Sequence, residues 1–171
     1  FMNNYPNEKQ EEEIIPNEVE RYSNISDTLM ALISLVQTAM GGQEEISNMG
    51  IMIQNIVYEA IHAGGENADY QNEVNQFINE IDHICNFIRF GDIYLLNGSL
   101  EGENALSEEI DGYNVIINIR SLKTSDLGIN DLIIDTNSMQ KIQNAMQSIN
   151  DLKAYLSAKY QQLNILSNCY N

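Results

Sequence analysis

Both prolines lie at or before residue 16, so nothing in residues 17–171 obliges a helix to break. Over the first part of that span, Ile25, Leu29, Leu32, Val36, Ala39, Ile46, Ile53, Val57 and Ala60 recur at alternating spacings of three and four. Ile33, Met40, Met49 and Ile56 widen the apolar stripe. A heptad-like pattern of this length predicts one long helix of about 45 residues, roughly 65 Å from end to end. Gly41, Gly42 and Gly50 weaken it, each by about 1 kcal/mol relative to alanine, and mark either a bend or a place where another backbone comes close. Ala63-Gly64-Gly65 is the expected stop, because glycine can take the left-handed conformation that caps a helix.

A second helix is predicted from Tyr70, Val74, Phe77, Ile81, Ile84 and Ile88, with Ile78 and Cys85 beside them and Asn67 or Asp69 as the N-cap. The short glycine-containing connection makes the two helices an antiparallel hairpin. From Phe90 to about Thr136 the period changes. Leu96-Asn97-Gly98-Ser99 and Asp111-Gly112 are turn signals, and Tyr113–Ile119 is rich in β-formers, which predicts one or two hairpins folded against the end of the rod. Ile142, Ala145, Ile149, Leu152, Leu156, Leu163 and Leu166 restore the helical period. The expected fold is mainly α: an elongated antiparallel bundle of three long helices, with a small β-hairpin region between the second and third. Its expected divisions are an acidic, mobile tail over 1–16 and a single rod domain over 17–171. The rod comprises a helical hairpin (17–89), a β/turn region (90–136) and a returning helix (137–169).

Charge narrows the choice of partners. The chain has 25 acidic and 8 basic residues, a formal net charge of −17, and such a surface repels phosphate backbones and anionic lipid heads. Neither nucleic acid nor a membrane surface is expected as a partner. Glu8, Glu11, Glu12, Glu13, Glu18 and Glu20 crowd a stretch with few apolar residues, which is the reason for expecting a tail there. No segment is long and apolar enough to span a bilayer; Thr28–Gln43, the best candidate, is interrupted by Gln37, Gly41 and Gly42. The N-terminus is acidic where a signal peptide would be basic, so export without a cleaved leader is the expected route if the chain is secreted.

Groups for chemistry are sparse. Cys85 and Cys169 stand far apart, with neither a CxxC pair nor clustered histidines, and are expected to be buried thiols. His62 and His83 fall on different helices and are expected at surface or helix-edge positions. Tyr155 and Lys159 match the bare Tyr-x-x-x-Lys spacing of some reductases, but no glycine-rich strand–turn–helix accompanies them. Asp111-Gly112 lacks the alternating oxygen ligands of a calcium loop. Neither catalytic residues, metal ligands nor a cofactor is expected. Long apolar stripes without a convergent polar site describe a part that packs rather than reacts.

Several segments resemble bacterial flagellin. Ile33-Ser34-Leu35-Val36-Gln37-Thr38-Ala39-Met40-Gly41, with Glu45 and Ile46 in register, resembles the signature ISLLQTAEGALNE. Asn79-Glu80-Ile81-Asp82-His83-Ile84 is similar to NEIDRI, and Phe90-Gly91-Asp92-Ile93-Tyr94-Leu95-Leu96-Asn97-Gly98 to FNGxxLLDG. Asp126-Leu127-Gly128-Ile129 and Leu132-Ile133-Ile134-Asp135-Thr136 resemble the family's return segment. Leu156-Ser157-Ala158, Leu163 and Asn168 resemble its C-terminal run. The matches cover roughly residues 22–171 in the family's order.

The resemblance implies the outer-tube helical domain of a flagellin, without inner-tube terminal helices and without a large variable domain. It further implies a secreted filament subunit that self-assembles with other flagellin subunits and meets an export chaperone. A hook–filament junction protein and a flagellin-like binding module are the alternatives. The family's receptor epitope maps onto Met52, Ile56 and Glu80. Met52 stands where the family has an arginine and Ile56 where it has a leucine; only Glu80 is unchanged. Loss of a planar multi-donor guanidinium implies weak or absent binding by the Toll-like flagellin receptor.

Overall fold

A computed structural model describes the backbone of residues 8–64 and 68–171, with side chains from residue 18 onward. Its main elements are α1 (Glu8–His62), α2 (Ala68–Phe87), β1 (Arg89–Phe90), β2 (Ile93–Tyr94), β3 (Leu106–Ile110), β4 (Tyr113–Ile117), α3 (Thr124–Leu127) and α4 (Ser138–Asn168). The fold is mainly helical, with two small antiparallel strand pairs.

Helix α1 is the body on which the rest is mounted. Its alternating stripe is buried from Leu29 through Ala60, and both α2 and α4 pack on α1 rather than on each other. The expected bundle of three long helices is therefore two pairings that share α1. With 20 residues, α2 is too short to cover a 55-residue partner, and the β region occupies the remaining length. Contacts down α4 fix an antiparallel register. The Ser26 hydroxyl donates to Asn171 Oδ1 at 3.2 Å, Gln37 Nε2 to the Tyr160 hydroxyl at 3.4 Å, and Gln43 Nε2 to the Ile149 carbonyl at 3.1 Å. Gln43 is only 2% exposed, so its bond to the α4 backbone satisfies a polar group that would otherwise be costly to bury.

The start of α1 differs from expectation. Residues 8–16, assigned above to a tail, continue the helix, while residues 1–7 of that tail lie outside the described residues. The segment has no strong apolar face, but Glu, Gln and Lys are good helix formers. Acids near an N-terminus also complement the helix dipole. The helix runs on through Pro16, which has no amide to donate to the preceding turn and is a weak point there, so α1 extends past its packed part to about 80 Å.

The other end follows the reading more closely. Gly64 takes φ +83 beyond His62, and α2 begins at Ala68, so Asp69, one of the two expected N-caps, lies inside the first turn instead, while Asn67, the other, lies outside the described residues. Pairing of Arg89–Phe90 with Ile93–Tyr94 closes one hairpin, and pairing of Leu106–Ile110 with Tyr113–Ile117 closes a second. The second turns through Asp111 (φ +50) and Gly112 (φ +84), the mirror-image geometry that suits twisted strands and that Asp-Gly favours. The chain then returns antiparallel along α2. Asp82 accepts from both the Thr124 amide (2.8 Å) and its hydroxyl (2.6 Å), and further along the Gln71 amide bridges the Leu132 carbonyl and the Ile134 amide.

Two of the three α1 glycines are sites of close approach. A Cβ built on Gly42 would lie 2.6 Å from Leu96 Cδ1 and 2.9 Å from Ile88 Cγ1, and one on Gly50 would meet Met146 Sδ. Gly41 has nothing within 4 Å. Gly41→Ala is expected to raise stability by up to about 1 kcal/mol. Gly42→Ala is expected to lower it by about 1–3 kcal/mol, through overpacking against the buried Leu96. Chemical-denaturation midpoints of the two variants, moving in opposite directions, check this.

Candidate interaction surfaces

The groups singled out for chemistry are spent on structure. The Tyr155 hydroxyl accepts from the Asn118 amide at 2.9 Å and donates to the Ile116 carbonyl at 3.5 Å, so it ties α4 to the end of β4. Lys159 donates to Gln162 Oε1 and lies 5.6 Å from the Tyr155 ring centroid. His62 sits under Tyr58 at 3.9 Å between ring centroids, with Nδ1 against the Tyr58 carbonyl, and His83 stacks on Phe87. Cys85 is fully buried, and burial, reinforced by nearby Asp82, pushes its thiol up to about 12. Cys169, expected to be buried as well, is exposed. The difference arises because α4 is at its last residues there and nothing covers its outer side.

Asp111, at the tip of the β3–β4 turn, has a role that spacing did not reveal. Arg21 Nη1 lies 2.6 Å from its Oδ1, and the Tyr170 hydroxyl donates to its Oδ2 at 2.7 Å. Tyr170 meets Tyr22 edge-on at 5.5 Å, and the Arg21 guanidinium lies 5.1 Å from the Tyr22 ring centroid. One carboxylate thus joins α1, the hairpin and the end of α4. An Asp-Gly pair announces only a turn; its two partners are 90 and 59 residues away in sequence.

The family-aligned positions do not form one exposed surface. Met52 is 45% exposed on α1 and Glu80 is exposed on α2, whereas Ile56 is 7% exposed and belongs to the core. The heptad explains this, because Ile56 flanks Val57 on the packed side while Met52 projects outward.

Among the described residues, apolar side chains are exposed together in at least two places. On α1, Ile51, Met52 and Tyr58 are exposed along the outward side, and Ile61 is exposed further round the helix. Between β4 and the end of α4 lies an open groove lined by Tyr113, Ile116, Lys159, Ile165 and Cys169 among others, with no carboxylate in its walls. Among the described residues, no helix is long and apolar enough to cross a membrane.

No protein-family model matches the chain, and no curated protein matches it in sequence. The fold does have a solved counterpart. The crystal structure of Bacillus cereus flagellin superposes with a TM-score of 0.69 at 21% identity, covering 84% of this chain and 88% of that one. The chain therefore has a flagellin-like fold.

The Asp111 junction yields a pH prediction. Its hydrogen bond to the Asp111 carboxylate pushes the Tyr170 hydroxyl up to about 12, above the ordinary value of 10.0. A folded-state value above the unfolded one means that this contact is fully present below pH 10 and is lost as pH rises through about 12. Ultraviolet titration of the phenols is expected to show one tyrosine ionising late, a step that Tyr170→Phe removes and Asp111→Asn moves to lower pH.

Proposed function

We propose that the chain is a structural subunit of a flagellar-type filament, acting outside the cell by lengthwise packing against other copies of itself. The supporting observation is the flagellin-like fold, shared across most of both chains. The long α1 stripe, the antiparallel α1–α4 seam and the ordered series of flagellin-like segments are consistent with it. Delivery with help from an export chaperone belongs to the same proposal. Side-by-side packing of bodies carrying −17 each is opposed by repulsion, which salt screens over about 8–10 Å. Filaments sheared from the surface of the source cell are expected to contain this chain as a repeating component. Sedimentation of the purified protein is expected to increase with ionic strength. Recovery of the chain only as free protein, with none in filaments, would contradict the proposal.

We also infer weak activation of the Toll-like flagellin receptor. The Met52 thioether offers no donors in place of a guanidinium, and Ile56 is turned into the core. In a reporter-cell assay the protein is expected to be at least about tenfold less potent than a flagellin that carries the arginine. Equal potency would overturn this reading.

A further inference from the structure

We propose that the groove between β4 and the end of α4 receives the outward Ile51–Met52–Tyr58 face of α1 from a second copy of the chain. This inference rests on the filament-subunit reading and names a contact that would build such a filament.

The two surfaces are both apolar and are complementary in charge. Tyr113, Ile116 and Ile165 are 68%, 46% and 69% exposed in the groove. Its one charged lining residue is Lys159, in a chain that otherwise carries about three acids for each base. The α1 face offers the opposite set: exposed side chains at Ile51, Met52 and Tyr58, with exposed Glu45 and Glu59 one heptad before and after Met52. Tyr58 is steadied by its ring contact with His62, which lowers the entropy lost when it is buried. Two chains this acidic meet with least repulsion where one of them presents no carboxylate, and the groove is such a place.

A second copy suits the groove because both halves are present on one molecule at different heights. Gln37 bonded to Tyr160, and Ser26 bonded to Asn171, place the groove level with roughly residues 26–37 of α1. Met52 lies on the order of 20 residues further along, a displacement of ~30 Å. A contact between different patches is heterologous and does not close on itself as a two-fold dimer does. Successive copies would be staggered by ~30 Å along the rod, and the series is open-ended.

Cys169, exposed in the groove, makes the contact testable without a new residue on that side. Protein carrying Met52→Cys and Cys169→Ser is mixed with the unaltered chain, under conditions in which copies sediment together, and treated with diamide. Diamide takes up the two hydrogens as the thiols join; Cys85 is fully buried and stays out of the reaction. The expected product is a mixed dimer linked through positions 52 and 169, at least tenfold more abundant than the product from Met30→Cys, Cys169→Ser. Ile165→Glu in the unaltered partner is expected to suppress it, and Ile133→Glu, at an equally exposed position outside the groove, to leave it intact. Co-sedimentation without the 52–169 link, or equal linking from position 30, overturns the contact and leaves the filament reading standing. Copies that never associate overturn both.

Discussion

The antiparallel seam between α1 and α4 is the contact on which the other parts depend. Leu29, Leu32, Val36, Ala39, Ile46, Ile53 and Val57 supply one side, and Ile142, Ala145, Ile149, Leu152, Leu156 and Leu163 the other, all fully or nearly fully buried. At about 25 cal/mol per Å² of apolar surface removed from water, such a seam outweighs any single polar contact in the molecule. Two weak points of α1 lie where other elements press on it, Gly50 against α4 and Gly42 against the end of α2 and the β region. Gly42 and Gly50 are poor helix residues, yet Leu96, Ile88 and Met146 occupy the space their missing side chains leave. Packing thus holds the backbone where propensity alone would loosen it.

Once α1 is laid down, the remaining elements are fixed by contacts at a few heights. Near the α1–α2 turn, Gln71 holds the return segment. Midway, Asp82 holds Thr124, and at the opposite end Asp111 holds Arg21 and Tyr170. The polar contacts therefore set register and direction, while apolar burial supplies most of the stabilisation. The charge excess is compatible with this plan because carboxylates such as Glu44, Glu45, Glu59 and Glu73 sit outside the seams. Helix α4 is the exception in charge: Lys141, Lys153 and Lys159 outnumber its single acid, Asp151. That contrast with α1 and α2 leaves one flank of the helical body less acidic than the rest.

Much of this was legible in the residues, and the reason is periodicity. The stripe from Leu29 to Ala60, the α2 set from Val74 to Ile84 and the α4 set from Ile142 to Leu163 each repeat often enough to identify a helix and its packed face. The Asp111-Gly112 turn was legible because its chemistry is local. What escaped was set by distant partners or by balance among weak terms. Gln43 reads as an interruption of an apolar run, and only the Ile149 carbonyl explains its burial. Residues 8–16 read as too polar to order, yet the helix continues through them, Pro16 included. Cys169 reads as one more helical cysteine until the end of α4 is seen to be uncovered. The groove at Tyr113, Ile116 and Ile165 has no sequence signal, since it joins a strand to a helix some fifty residues later.

The account requires α1 to be one unbroken helix through Gly41, Gly42 and Gly50. The distance between nitroxide labels at Met30→Cys and Tyr58→Cys, both exposed positions, measured by pulsed dipolar spectroscopy in a Cys169→Ser background, tests this most directly. A continuous helix predicts a single narrow distribution centred near ~42 Å, at about 1.5 Å of rise per residue. A broad distribution, or one centred below ~35 Å, would mean that the helix breaks at its glycines, and the seam described here could not exist.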